Sequence, residues 1–143
     1  MTTDFLTNTE MASLVEAIQK AEEHSSGEIR VHIDTHSEKD LAKEAIDVFH
    51  KLEMQKTQYR NAVLFYISFE QKYLTIIGDK GIHEKVQQHF WDQLHDEITQ
   101  KFAQKLYFQG LRDALLKTGM ELKKHFPVDQ ENKNELPNEI SFS

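Results

Sequence analysis

The sequence predicts an α/β domain in which a small mixed sheet is packed by about four helices. Three observations predict it. Residues 28–34 alternate strictly: Ile29, Val31 and Ile33 on one side, Glu28, Arg30, His32 and Asp34 on the other. That is the period-two pattern of a strand with one polar face. Residues 61–67 are apolar on both faces, as a central strand covered on both sides must be. The remaining segments repeat apolar residues at helical spacing.

The chain has 143 residues, enough for one domain with a substantial core, 1–127, followed by a polar tail, 128–143, expected to be disordered. The net charge of −7 argues against a nucleic-acid surface or an anionic membrane face, and suits a protein that attracts cations. With no cysteine, disulfides, thiolate metal sites and cysteine nucleophiles are excluded. The first residues carry no basic and apolar leader pattern, and no apolar run approaches the ~18 residues that span a bilayer. The expected compartment is the cytoplasm, with no membrane insertion and no nucleic-acid partner.

Thr7-Asn8-Thr9-Glu10 has capping-box spacing, and Met11, Leu14, Val15, Ile18 and Ala21 follow at helical intervals. The first helix is therefore expected over about 8–23, ended by Ser25-Ser26-Gly27. The alternating strand comes next, its polar side expected toward a sheet edge. Ser37-Glu38-Lys39-Asp40 opens a second helix to about residue 53, with Leu41, Ala45, Val48, Phe49 and Leu52 as its stripe. A loop over 54–59 leads to the apolar strand, and a short turn near Glu70-Gln71 joins it to residues 73–77 as a hairpin. After Gly81 the periodicity is helical, with a break near 103–107, until Phe126-Pro127 closes the domain.

Strand, helix, strand implies a parallel pair with a right-handed crossover. The hairpin makes the third strand antiparallel to the second. The starts of the first two strands and the end of the third then share one edge of the sheet. Gly27, Glu28, Thr57, Arg60, Asn61, Gly78, Asp79 and Gly81 meet there. Carboxylate, amide and backbone oxygens suit a hard divalent cation of the Ca²⁺ or Mg²⁺ class. Asp79 and Glu28 are the candidate ligands, joined by Asn61, Thr57 and a glutamate from the end of the first helix, Glu22 or Glu23, with Glu23 preferred. Arg60 would neutralise the carboxylates or hold a phosphate oxygen. A structural ion pair is the alternative reading of the same cluster. His32-x-Asp34-x-His36 and the set His89, Asp92, His95, Asp96 have ligand chemistry too, but solvated faces account for both patterns. No Walker loop or nucleophile elbow is present.

Ser26-Gly27-Glu28-Ile29, Thr57-x-x-Arg60-Asn61-x-Val63-Leu64 and Ile77-Gly78-Asp79-x-Gly81-Ile82 together resemble the TPM domain family, in its stand-alone, soluble, bacterial type. The resemblance runs from about residue 5 to residue 126. It implies a three-layer α/β/α sandwich on a mixed sheet of three to four strands, the fourth expected near 2–6 or 82–86. It implies divalent-cation binding, supporting Glu28, Arg60, Asn61 and Asp79 as a shared site. It also implies two alternatives: a metal-assisted acid phosphatase, and a non-catalytic module that assists a protein complex. No nucleophile or general acid stands out to support catalysis.

Overall fold

The fold was obtained as a computed structural model and describes residues 5–36, 40–128 and 136–143. Its elements, in chain order, are α1 (Asn8–Glu22), β1 (Glu28–Ile33), α2 (Leu41–Lys51), a 3-10 turn (Met54–Lys56), β2 (Ala62–Ser68), β3 (Tyr73–Gly78), α3 (Lys80–Ala103), α4 (Tyr107–His125) and β4 (Ser141–Phe142). The sheet order is β3-β2-β1-β4. β1 runs parallel to β2, with Glu28 opposite Ala62 and Ile33 opposite Ile67. β3 returns antiparallel to β2, pairing Gly78 with Val63. The parallel pair, the hairpin and the shared edge therefore stand as the strand order implied.

Alternation divides the core into two layers. Ile29, Val31, Ile33, Val63, Phe65 and Ile67 point to one side, where α1, α3 and α4 bring Leu14, Ile18, Trp91, Leu94, Ile98, Leu111, Leu115 and Leu122. Ala62, Leu64 and Tyr66 point to the other, where α2 brings Ala45, Val48 and Phe49 and the 3-10 turn brings Met54. The result is the expected three-layer sandwich.

Local chemistry fixes the element ends near the site. The capping box at α1 is formed: Glu10 N donates to Thr7 Oγ1 at 3.0 Å and Thr7 N donates to Glu10 Oε1 at 2.9 Å. Asp40 caps α2 by accepting from Lys43 N; residues 37–39 of the expected helix start lie outside the described residues. Asp79 caps α3. A break at Gln87 (φ 65°, ψ 175°) separates the first turns of α3 from the body that carries Trp91.

The fourth strand differs from both expected places. Residues 82–86 belong to α3, and residues 2–4 lie outside the described residues. The strand forms instead at Ser141–Phe142, parallel to β1, within the segment read as a disordered tail. Two residues are too few for a periodic signal, so composition alone misplaced it. The consequence for β1 is large. Its polar residues do not face solvent at a sheet edge: Glu28, Arg30, His32 and Asp34 are all buried.

Candidate functional site

The shared strand edge contains two linked clusters. The first is built on α1 and β1. Glu22 lies four residues beyond Ile18, on the buried stripe of α1, and its side chain crosses to β1, where Oε2 accepts from Ile29 N at 2.7 Å. There its carboxyl group hydrogen-bonds that of Glu28. Glu22 and Glu28 are 3% and 0% exposed as whole residues. Burial, and then the neighbouring charge of Glu28, push Glu22 up to about 9, against the partial relief given by the Ile29 amide. The pair holds a proton at neutral pH.

Asn61 closes this cluster from the start of β2. Its Nδ2 donates to Ser26 Oγ at 3.0 Å, in the loop that connects Glu22 to Glu28, and its backbone N–H donates to Thr57 Oγ1 at 3.3 Å. Asn61 is fully buried, and its Oδ1 has no hydrogen-bond partner among the described residues. A buried amide oxygen left unpaired costs about 1–3 kcal/mol. Native structures rarely leave such an acceptor unsatisfied without a functional or solvent explanation.

The second cluster is built on the β2 approach and the α3 cap. Arg60 Nε and Nη2 donate to Asp79 Oδ2 and Oδ1 at 2.5 and 2.8 Å, a bidentate pair. Asp79 Oδ1 also accepts from Lys80 N at 2.9 Å, and Asp79 N donates to Ala62 O at 2.9 Å. The Asp79 carboxylate raises the Arg60 guanidinium above its already high range. Arg60 stands at φ 53°, which turns its carbonyl onto the start of α3, where it accepts from Gly81 N at 2.8 Å. This approach is why residue 81 is glycine: a Cβ there would lie 2.1 Å from Tyr59 O and 2.6 Å from Arg60 O. Gly78 has a different reason, since its Cβ would meet the Trp91 ring at 2.3 Å.

Glu28, Asn61, Thr57, Arg60 and Asp79 thus gather at the expected edge. Glu23 does not join them. It is exposed and ends α1 by donating its backbone N–H to Lys20 O. Glu22 takes the interior place, and its spacing from Ile18 was the available signal. Thr57 uses its hydroxyl to hold the Asn61 backbone. Among the described residues, no three of His, Cys, Asp and Glu come together as a metal cluster, so a cation here would rely on two carboxyls and an amide oxygen. No described helix is long and apolar enough to cross a membrane.

The other two candidate sets divide. His89, Asp92 and Asp96 are exposed, while half-buried His95 bonds Leu74 O through Nε2 at 2.9 Å. His36 is exposed and bonds Thr35. His32 and Asp34 are buried instead. His32 stacks on Tyr66, and the Tyr66 hydroxyl donates to Asp34 Oδ2. Sequence reasoning treated this face as solvated because what covers it, residues 136–143, is remote in the chain.

The family model of the TPM domain matches residues 1–121. The NMR structure of the BA42 protein from the psychrophilic bacterium Bizionia argentinensis is similar, with a TM-score of 0.89 and 45% identity over 97% of this chain and 96% of that one. The N-terminal domain of a protein from P. gingivalis, solved by solution NMR, shares the fold at a TM-score of 0.71 and 14% identity, over 88% of this chain and 83% of that one. No curated protein matches.

Proposed function

The chain belongs to the TPM domain family, and from that premise we propose that it is a divalent-cation-binding domain of the Ca²⁺ or Mg²⁺ class. The cation would be held by Glu22, Glu28 and Asn61 Oδ1. The observation that carries this reading is Asn61 Oδ1, unpartnered among the described residues and buried at the loop that joins two paired carboxyl groups. A hard cation takes carboxylate and amide oxygens together and completes its shell with backbone carbonyls and water. It would also replace the proton held by the glutamate pair, removing the reason for that proton to stay. Asp79 is a reserve ligand. Its carboxylate is engaged by Arg60, which a cation would have to displace.

A phosphomonoesterase reading is less well supported. It needs Arg60 free to hold a phosphoryl oxygen, and Arg60 commits both Nε and Nη2 to Asp79. A cation-responsive, non-catalytic domain agrees better with these contacts.

Thermal melts with and without calcium or magnesium test the proposal. Ligand at ten times its dissociation constant stabilises the folded state by about 1.4 kcal/mol. A rise in melting temperature is expected with millimolar calcium or magnesium, and Glu28→Gln should remove it. Equal melting temperatures with and without either cation would count against the proposal.

A further inference from the structure

The buried row on β1, away from the glutamate pair, is covered in an unusual way. Arg30 and His32 are 8% and 3% exposed, and residues 136–143 supply their partners. Arg30 Nη2 donates to Glu139 O at 3.2 Å. The two ring nitrogens of His32 bond the hydroxyls of Ser141 and Ser143, each at 2.7 Å. Ser143 N donates to Ile33 O at 3.0 Å, and Thr35 N donates to Ser143 O at 2.7 Å. The segment alternates: Ser141 and Ser143 meet the polar row, Ile140 packs against the apolar core, and Phe142 is 50% exposed.

Apolar burial usually fastens a terminal segment. Here much of what lies under it is charged or polar, and the buried Arg30 Nε has no hydrogen-bond partner among the described residues. Only two residue pairs join β4 to β1. Release would return Arg30 and His32 to water and open an edge of β1 whose backbone groups seek another strand. Every copy of the chain carries the segment that fits this slot, and exchange between copies reproduces each contact. We propose that the β1 edge is a strand-acceptor site that binds residues 136–143 of a second copy of this chain in exchange for its own. The polar row sets the specificity: hydroxyl side chains two residues apart, clamped on His32. Backbone pairing supplies the rest, as in other strand-addition interfaces. The covalent tether holds the chain's own segment at an effective concentration of order millimolar, so exchange grows as the protein nears that concentration.

Sedimentation velocity of the full chain up to millimolar concentration tests this, with a synthetic peptide of residues 136–143 as competitor. A concentration-dependent dimer that the peptide dissociates is expected. A peptide with alanine at both serine positions should compete about tenfold less well or worse, having lost two hydrogen bonds, and it cannot perturb folding. Ser141→Ala with Ser143→Ala in the chain weakens the retained and the exchanged segment alike, so it should lower the peptide concentration that dissociates the dimer while near-ultraviolet circular dichroism remains native. A chain that stays monomeric at millimolar concentration overturns the proposal. So does a dimer that the peptide leaves intact, or an alanine peptide that competes equally well. None of these outcomes depends on cation binding.

Discussion

Glu22, the last residue of α1, and Glu28, the first of β1, hydrogen-bond through their carboxyl groups in the interior of the domain. The folded chain keeps a proton on Glu22 up to about pH 9, whereas the unfolded chain releases it near 4.5. Between those values the unfolded state binds fewer protons, so stability falls as pH rises, by up to about 1.4 kcal/mol per pH unit. Glu22→Gln retains the shape and removes the titration. In metal-free buffer it should flatten this slope and leave the variant more stable than the parent at about pH 8, as read by urea unfolding across pH.

Asp79→Ala removes the α3 cap and the partner of Arg60. The cap alone is worth about 1 kcal/mol, and the exposed side of the ion pair limits what the charge adds. Asp79→Asn keeps a capping oxygen and should cost less than the alanine. Arg60→Ala removes a positive charge beside the proposed cation and frees the Asp79 carboxylate. It should tighten calcium binding severalfold, measured by calorimetry.

In an exposed helix, glycine to alanine gains about 1 kcal/mol. At Gly81 the sign reverses, because the new methyl group meets the backbone carbonyls of Tyr59 and Arg60 rather than a yielding side chain. Gly81→Ala should lower stability by about 1–3 kcal/mol, and chemical denaturation reads it directly.

Much of this architecture was legible in the chain. Ile29, Val31 and Ile33 alternate, and residues 61–67 are apolar throughout, so the first two strands declared themselves and the crossover rule gave their direction. Once the hairpin was placed, Glu28, Asn61 and Asp79 had to share an edge. What was not legible had identifiable causes. Glu23 was preferred over Glu22 at a helix end, where one residue moves a side chain from the interior to solvent. The polar face of β1 looked solvated because its cover comes more than a hundred residues later, through two serines in a polar segment. The unpartnered oxygen of Asn61 is a three-dimensional fact with no sequence signature.

Burial holds His32 down to about 4 from its ordinary 6.5, against the opposing pull of Asp34 and with smaller contributions from Arg30 and Lys51. In that window the unfolded chain binds a proton that the folded chain refuses, so stability present above 6.5 is lost as pH falls toward 4. His32→Asn should weaken this acid-side dependence, seen in melting temperatures across the window, while leaving the alkaline dependence assigned to Glu22 in place.

The central claim is that a hard cation replaces the proton between Glu22 and Glu28 and takes Asn61 Oδ1 as a ligand. The most direct measurement is a calcium titration of the full chain followed by ¹H–¹⁵N spectra at about pH 6 and about pH 8, where proton-linked binding must differ in affinity. The account predicts saturable shifts at Ser26, Gly27, Glu28, Ile29 and the Asn61 side-chain amide. Binding should be tighter at the higher pH, and Glu22→Gln should weaken it. Resonances that stay fixed to tens of millimolar calcium at both pH values, or a titration that Glu22→Gln leaves unchanged, would contradict it.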